Sequence, residues 1–241
     1  MDQIRRGFWP KTFPALTDEQ IAISNDFMQY WHEVLPRRYG VIERFNHGYP
    51  VAAAPPQPHC RTLEIGAGLG EHLAYERLDG QEYTCLELRE NMAQEIQRRY
   101  PAAKTLVGDC QQRLPVADGH FDRILAIHVL EHLPNLPAAV AELERLLAPT
   151  GVLCVVIPCD PGLAYGLARK ISAERIFRKR YRQSYDWFIR REHINSPHEI
   201  IGQLEQRFRV VHRRFFPLMV PLIDLNLCIG MVLRKRAGTG S

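Results

Sequence analysis

The chain has 241 residues, of which 46% are hydrophobic and 24% charged, and this size suits one α/β domain with additional elements. A formal net charge of +4 is too small to indicate nucleic-acid binding by bulk charge. The sequence contains no uncharged run of 18 apolar residues, and its N-terminus lacks a secretory apolar region, which predicts a cytoplasmic protein. The six cysteines form no Cys-x-x-Cys pair and are predicted to be small buried side chains rather than disulfides or zinc ligands.

The N-terminal arm, residues 1–58, is predicted to hold two helices and a proline-rich linker. A capping-box-like sequence that begins at Thr17 predicts the start of the first helix, and Pro36 predicts its end. A shorter helix is predicted from Tyr39 to Phe45, followed by a linker over residues 50–58. The apolar face of the first helix would consist of Ile23, Phe27, Tyr30, Trp31 and Val34.

Strands and helices alternate from Cys60 onward, within a predicted domain of residues 59–241. This alternation predicts a doubly wound α/β fold, a mainly parallel sheet with helices on both faces. In such sheets ligands bind outside the carboxyl ends of the strands. The predicted strands after the first are residues 83–88, 106–109, 121–127, 152–157, 208–215 and 225–233, with a helix over residues 198–206.

A glycine turn follows the first strand. Gly66, Gly68 and Gly70 stand at alternate positions and are predicted to open an amphipathic helix. Glycines permit backbone conformations that a Cβ forbids and let a ligand lie against the main chain. Glu64 extends the pattern to Glu-x-Gly-x-Gly-x-Gly, while Glu71 stands where a dinucleotide fingerprint requires glycine. The turn therefore indicates nucleotide binding and disfavours a nicotinamide oxidoreductase.

Residues 60–158 resemble the class I S-adenosylmethionine (SAM) methyltransferases, in particular the subgroup of quinone-biosynthesis and small-molecule methyltransferases. The resemblance implies a Rossmann-like seven-stranded sheet whose last strand is antiparallel. It implies SAM as cofactor and S-adenosylhomocysteine as product. Glu64 would order the turn and engage the amino acid end of SAM, Glu87 would accept both ribose hydroxyls, and Asp109 with Cys110 would contact the adenine. The implied cofactor-binding residues are Glu64, Gly66, Ala67, Gly68, Gly70, Glu87, Leu88, Asp109, Cys110 and His128.

Methyl transfer from SAM requires little covalent machinery, because the methyl group is already activated. The protein must hold the acceptor in line, exclude water and remove a proton when the acceptor is a hydroxyl. Only histidine has an unperturbed pKa near neutrality, so His128, His132 and His193 are equal candidates for this base. The sequence predicts a small-molecule or a lipid- or phosphate-linked acceptor, with oxygen favoured as the target atom.

The same histidines raise the question of a metal. His128, Glu131, His132 and His193 resemble a variant of the Glu-x-x-Glu-His arrangement of some metal-dependent methyltransferases, with His128 in place of the first Glu. Imidazoles and a carboxylate suit a divalent transition metal. The alternative, which the sequence favours, is that Glu131 and His132 hold the local backbone and His193 lines the acceptor pocket.

Residues 159–197 are too long for a plain connection and are predicted to form a cap over the active-site edge. Leu163, Leu167 and Ile171 repeat at a helical interval within a basic stretch. An amphipathic basic helix can lie on an anionic membrane or hold a phosphorylated acceptor, and the alternative is a solvated face of a lid. The apolar residues 215–223 are predicted to be buried beside the same edge, whereas exposure would indicate a lipid or partner contact. The basic residues are Arg169, Lys170, Arg175, Arg178, Lys179, Arg180 and Arg182.

Two other functions stay open at the level of sequence. A nucleic-acid methyltransferase would use the basic cap for phosphates, but the Asn/Asp-Pro-Pro-Tyr motif of amino-methylating enzymes is missing after the fourth strand, where residues 127–130 read Ile-His-Val-Leu. Binding that weakens steeply with salt would favour it. A noncatalytic SAM-binding module would keep the glycine turn without an acceptor pocket.

Overall fold

The computed structural model describes residues 7–38 and 40–236, and the side chains of residues 31–38 lie outside this description. One seven-stranded sheet forms its centre. The strands are β1 (Cys60–Ile65), β2 (Gln81–Glu87), β3 (Lys104–Val107), β4 (Phe121–Ile127), β5 (Leu147–Pro158), β6 (Phe208–Phe216) and β7 (Cys228–Lys235). The helices are α1 (Asp18–Arg38), α2 (Gly40–Ala53), α3 (Glu90–Arg99), α4 (Leu136–Leu146), α5 (Leu163–Ile171), α6 (Ala173–Tyr181), α7 (Asp186–Glu192) and α8 (Pro197–Arg207).

The strand order is β3-β2-β1-β4-β5-β7-β6. Strands β1 to β5 are parallel, whereas β7 runs antiparallel to both β5 and β6. This confirms the predicted seven-stranded, mostly parallel sheet with an antiparallel last strand. The sheet extends in opposite directions from β1 and β4, which places a crevice at the carboxyl ends of these two strands.

The central strands are buried on both faces, as a parallel sheet covered by helices requires. In β4, Ile124 and Ala126 belong to the core on one face and Leu125 belongs to the core on the other. The same alternation in β5 separates Val155 from Val156. Because side chains alternate along a strand, one apolar run of sequence supplies both cores.

The helices of the N-terminal arm are longer than the sequence predicts. Helix α1 passes Pro36 and ends at Arg38, since a proline removes one hydrogen bond without preventing helical backbone after it. Helix α2 contains Pro50 and reaches Ala53, and its Tyr49 packs so closely on β7 that a Cβ at Gly230 would lie 2.5 Å from the ring. The side chains of Trp31 and Val34, and the predicted helix start at Tyr39, lie outside the described residues.

The arm and the cap pack against each other. The Phe27 ring of α1 lies 5.0 Å from that of Phe177 and 5.2 Å from that of Phe188, both at edge-to-face angles. Phe27 and Phe177 are almost completely buried. Helices α1, α6 and α7 therefore form a small apolar unit of their own.

Two further local predictions were wrong. The glycine turn opens a short 3-10 helix, Glu71–Ala74, instead of an amphipathic helix, because only ten residues lie between Gly70 and the start of β2 and the chain must also turn at Gly80. In the stretch 215–223, Phe215 is buried but Leu218, Met219 and Leu222 are 56%, 68% and 54% exposed. Asn226, which follows this stretch, is fully buried. Its side-chain oxygen accepts the backbone amide of residue 218, and its side-chain nitrogen donates to the carbonyls of residues 220 and 222.

No helix among the described residues is both long enough and apolar enough to cross a bilayer.

Candidate active site

The glycine turn lies between the carboxyl ends of β1, β2 and β4. Gly66, Gly68 and Gly70 have φ values of 62°, 60° and 79°, which favour glycine. A Cβ at Gly66 would lie 2.6 Å from Cγ2 of Val129, so the turn fits only without a side chain there. The Gly66 amide donates to the Leu86 carbonyl at 2.8 Å, which fixes the turn against β2.

The turn offers a cradle that fits a nucleotide. A Cβ added at Gly68 would meet only the Glu71 carboxylate at 3.0 to 3.8 Å, so the outer side of the turn is open. The Glu87 carboxylate, at the end of β2, accepts the Gly68 amide at 3.1 Å and the Arg89 amide at 3.2 Å. The amide of Ala67 already donates to Leu86 and belongs to the framework of the turn.

Glu64 is buried beneath the turn, where its Oε2 accepts a hydrogen bond from the Tyr83 hydroxyl at 2.8 Å. Burial raises the pKa of Glu64 to about 8, although the Tyr83 hydrogen bond opposes the shift. This carboxyl is therefore mostly protonated at neutral pH. A cation placed against it would favour its ionised form.

The other residues implied to bind SAM lie along the same sheet edge. Leu88 follows β2 and is 66% exposed, while Cys110 is buried after β3. Asp109 accepts the Gln111 amide at 2.9 Å in a tight turn. Their contacts with the cofactor stay a prediction.

His128 and Glu131 form an ion pair at the end of β4. The Nδ1 atom of His128 donates to Oε1 of Glu131 at 3.1 Å, and His128 adopts a left-handed φ of 52°. Burial lowers the pKa of His128, but the Cys228 thiol and the Glu131 carboxylate outweigh it and raise the pKa to about 10. Burial raises the pKa of Glu131, but the His128 hydrogen bond and the nearby His132 lower it to about 2. The raised pKa favours the protonated form of His128 at neutral pH, and its role as a base stays a prediction.

His132 and His193 each use one ring nitrogen to anchor the ring. Nδ1 of His132 lies at the backbone carbonyl of Glu192, and because a carbonyl only accepts, Nδ1 carries the hydrogen. Nδ1 of His193 donates to Oδ2 of Asp160 at 2.8 Å. In both rings Nε2 is the nitrogen that the anchoring hydrogen bond does not use. Burial lowers the pKa of His132, although the Glu131 carboxylate opposes the shift, so this ring is neutral at pH 7.

Three residues that sequence reasoning missed complete the site. Asp160, buried two residues after β5, orients His193 and also accepts Nη1 of Arg169 at 2.8 Å. Asn195 is 1% exposed and donates to the carbonyls of Leu130 and Leu133 at 2.9 and 2.7 Å, which ties the end of the cap to the turn after β4. Asn46 of α2 lines the pocket described next. No motif marks these residues, although Asp160 shares its sheet edge with the motifs.

A cavity of about 550 Å³ lies between the cap, the arm and the carboxyl ends of β4 and β5. Its volume suits a small organic molecule. Most of its walls are apolar, and the neighbouring side chains of His128, Glu131, His132 and His193 form a polar end of the cavity. The structure thus brings together all three predicted base candidates and a pocket. Its walls include Phe27, Met28, Ile42, Asn46, Tyr165, Arg169, Tyr185, Phe188, Ile189, Leu227 and Cys228.

Comparison with known proteins identifies the type of domain. The family model described as "Methyltransferase domain" matches residues 63–155. The malonyl-[acyl-carrier protein] O-methyltransferase of Pectobacterium atrosepticum is 28% identical over 127 residues, which are 53% of this chain and 50% of that protein. The demethylmenaquinone methyltransferase of Beutenbergia cavernae is 32% identical over 99 residues, 41% of each protein. The chain spans about half the length, or less, of these relatives.

Solved structures agree on the fold. A TehB-like SAM-dependent methyltransferase from Corynebacterium glutamicum is similar with a TM-score of 0.58 at 18% identity, over 90% of this chain and 100% of that one. A possible histamine N-methyltransferase from Thermotoga maritima is similar with a TM-score of 0.59 at 19% identity, over 89% and 99%. At this level of identity the likeness shows the fold alone.

Proposed function

Since the chain carries a methyltransferase domain of the class I, Rossmann-like, SAM-dependent family, we propose that it transfers a methyl group from SAM to an oxygen of a small, largely apolar acceptor. The observation that supports this is the cavity beside the glycine turn, which two imidazoles line, each with its Nε2 atom outside the hydrogen bond that anchors the ring. Val129 contacts the position of Gly66, and its neighbour His128 lines the cavity. The cofactor turn and the acceptor pocket are therefore adjacent.

Different residues would bind different parts of SAM. The Gly66 to Gly70 backbone would hold the amino acid portion of SAM, with Glu64 against its ammonium group. Glu87 would accept the ribose hydroxyls, and Asp109, Cys110 and Leu88 would bound the adenine. Bound SAM supplies a methyl group on a cationic sulfur, which needs no further activation.

The pocket residues orient the acceptor and exclude water. Apolar walls would hold the body of the acceptor. Asn46 offers a selective polar contact, because its buried Oδ1 has no hydrogen-bond partner within the described part of the chain. The Nε2 atom of His132 or His193 would take the proton from an acceptor hydroxyl. Asp160 then stabilises the resulting imidazolium if His193 is the base.

A panel of phenols, quinols and acyl carboxylates, assayed with radiolabelled SAM, tests this function. We expect turnover on at least one acceptor, and a loss of about 10² to 10⁴ in kcat in His132→Ala or His193→Ala, whichever removes the base. SAM affinity should not change, and the exposed His198→Ala on α8 is the matched control. Turnover equal to that of the wild type in both variants would contradict the assignment of a histidine as the base. Methylation only of RNA or DNA, with steep salt dependence, would favour the nucleic-acid alternative.

The surface of the cap supports a lipid-linked acceptor, or one delivered from a bilayer. Leu163, Leu167 and Ile171 on α5 are 75%, 64% and 69% exposed. A Cβ at Gly162 would lie 3.2 Å from the Ile223 carbonyl, so the start of α5 lies against the loop that carries the exposed Leu218, Met219 and Leu222. We call these six side chains the apolar rim. Exposed apolar groups of this number indicate a contact surface.

The charge around the apolar rim favours an anionic bilayer. Arg169, Arg178 and Arg180 are held by Asp160, Glu174 and Asp26, so the basic stretch is partly neutralised. Among the described residues, Lys170, Arg175 and Lys179 are exposed and make no ion pair with one another or with the rest. Cations beside exposed apolar side chains match a surface of anionic headgroups over hydrocarbon.

Flotation with vesicles containing phosphatidylglycerol, against vesicles of phosphatidylcholine alone, tests this surface. We expect anionic vesicles to bind the protein, and Leu167→Gln with Met219→Gln to reduce the bound fraction. The matched control is Ile21→Gln, another exposed apolar side chain but on α1. Equal flotation of all variants would show that the rim does not contact lipid.

A further inference from the structure

Three side chains at the polar end of the cavity lie close together, whereas proton transfer requires only one histidine. One potential ligand atom from each of Glu131, His132 and His193 lies within 4.8 Å of those of the other two. Nε2 of His132 is 3.9 Å from Oε1 of Glu131. Two imidazoles and one carboxylate are a common protein ligand set for zinc and related divalent transition metals.

Each of the three side chains is anchored by a second group that leaves its ligand atom free. Asp160 holds Nδ1 of His193, and the Glu192 carbonyl holds Nδ1 of His132, so neither anchoring bond uses an Nε2 atom. His128 donates to Oε1 of Glu131. Such outer hydrogen bonds fix the tautomer and orientation of metal-binding histidines.

Glu131 provides independent evidence for a bound ion. It is 1% exposed, and its Oε2 atom is buried and accepts no hydrogen bond within residues 7–38 and 40–236. Buried polar atoms in folded proteins nearly always have a partner. The same carboxylate is one of the three groups whose potential ligand atoms lie within 4.8 Å of one another.

We propose that Glu131, His132 and His193 bind a divalent transition metal ion of the zinc type at the polar end of the cavity. Ligand bonds of about 2.0 to 2.2 Å in a tetrahedral site place ligand atoms about 3.3 to 3.6 Å apart, so small side-chain rotations close the site. Backbone bonds hold the parts together, because the amides of Ile194 and Asn195 both donate to the Glu131 carbonyl at 3.0 Å. Three protein ligands leave a position open toward the cavity, as in catalytic zinc sites.

The role of the ion rests on the proposed function, whereas its binding does not. When bound, the ion would supply positive charge beside the acceptor hydroxyl and make that hydroxyl more acidic, so that its proton passes to solvent water. The acceptor oxygen would then form its bond to the methyl carbon as the bond from that carbon to sulfur breaks, which leaves neutral S-adenosylhomocysteine. In this form of the site the Nε2 atoms of His132 and His193 hold the ion, so the role of base proposed above belongs to the metal-free protein alone.

Titration of chelator-treated protein with Co²⁺, followed by visible absorption, tests the binding directly, and competition with Zn²⁺ gives the zinc affinity. We expect one ion per chain, with d–d bands typical of a low-coordinate site. His193→Ala should remove the tight site. Asp160→Asn, which alters the outer hydrogen bond to His193 and the ion pair with Arg169, should weaken it about 10- to 100-fold. His198→Ala, an exposed histidine outside the cluster, should leave binding unchanged.

Circular dichroism and SAM calorimetry on each variant confirm that the fold persists. Equal cobalt affinity of the wild type and His193→Ala would overturn the metal site, whatever the methyl-transfer activity. Turnover that survives complete removal of metal would overturn the role of the ion in the reaction. Failure to bind SAM with an intact cobalt site would instead overturn the proposed function alone.

Discussion

Replacement of Glu87 tests the cofactor site most directly. This carboxylate is almost fully buried at the end of β2 and accepts the amides of Gly68 and Arg89, so its position is fixed before any ligand binds. If it also accepts the ribose hydroxyls, Glu87→Ala removes charge-assisted hydrogen bonds with a value of about 1.5 to 3 kcal/mol. The dissociation constant of SAM should therefore rise about 10- to 150-fold.

Isothermal titration calorimetry at 25 °C with SAM and with S-adenosylhomocysteine measures this change. Glu87→Gln, which keeps one acceptor oxygen and most of the volume, should fall between wild type and Glu87→Ala. The exposed Glu90→Ala, at the start of α3, is the matched control and should bind normally. Unchanged SAM affinity in a folded Glu87→Ala protein would refute the assignment of this carboxylate to the ribose.

Three further outcomes are expected. Gly68→Val should weaken SAM binding more than Glu87→Ala does, because a β-branched residue is strained at a φ of 60° and fills the cradle. The control is Gly202→Val in α8, where an added Cβ meets no atom within 4 Å, and this variant should bind SAM normally in the same calorimetry. Glu64, with a pKa of about 8, should release up to about 0.9 proton at pH 7 if the SAM ammonium ionises it, since a cation lowers the pKa of a carboxyl. Binding heats compared in buffers of different ionisation enthalpy detect this, and buffer-independent heats would contradict the contact. Asn195→Ala removes the hydrogen-bond donor of the Leu130 and Leu133 carbonyls and should lower the free energy of unfolding by about 1 to 3 kcal/mol. Urea unfolding measures this change, and an unchanged urea midpoint would show that these bonds do not stabilise the cap.

The sequence by itself determined the sheet and the place of the cofactor turn. Apolar runs such as residues 152–157 are too continuous for a half-exposed strand, and glycines at alternate positions tolerate backbone conformations that few other residues adopt. Both signals are local, since they depend on a few adjacent residues. The same holds for Glu87, which comes directly at the end of its strand. Element ends were less certain, and Pro36 did not end its helix because a proline removes one hydrogen bond without preventing helical backbone after it.

The tertiary structure alone decided the chemistry of the pocket. His193 is 61 positions from His132 in the chain, and hydrogen bonds from Ile194 and Asn195 to the turn after β4 hold the two ring centroids 5.5 Å apart. Asp160 could not be recognised as the partner of His193, because an aspartate after a strand has no pattern of its own. Ring tautomers, pKa values and the exposure of the apolar rim likewise depend on neighbours that are distant in sequence. A local pattern shows which residues are present, whereas their protonation and exposure depend on what the fold packs against them.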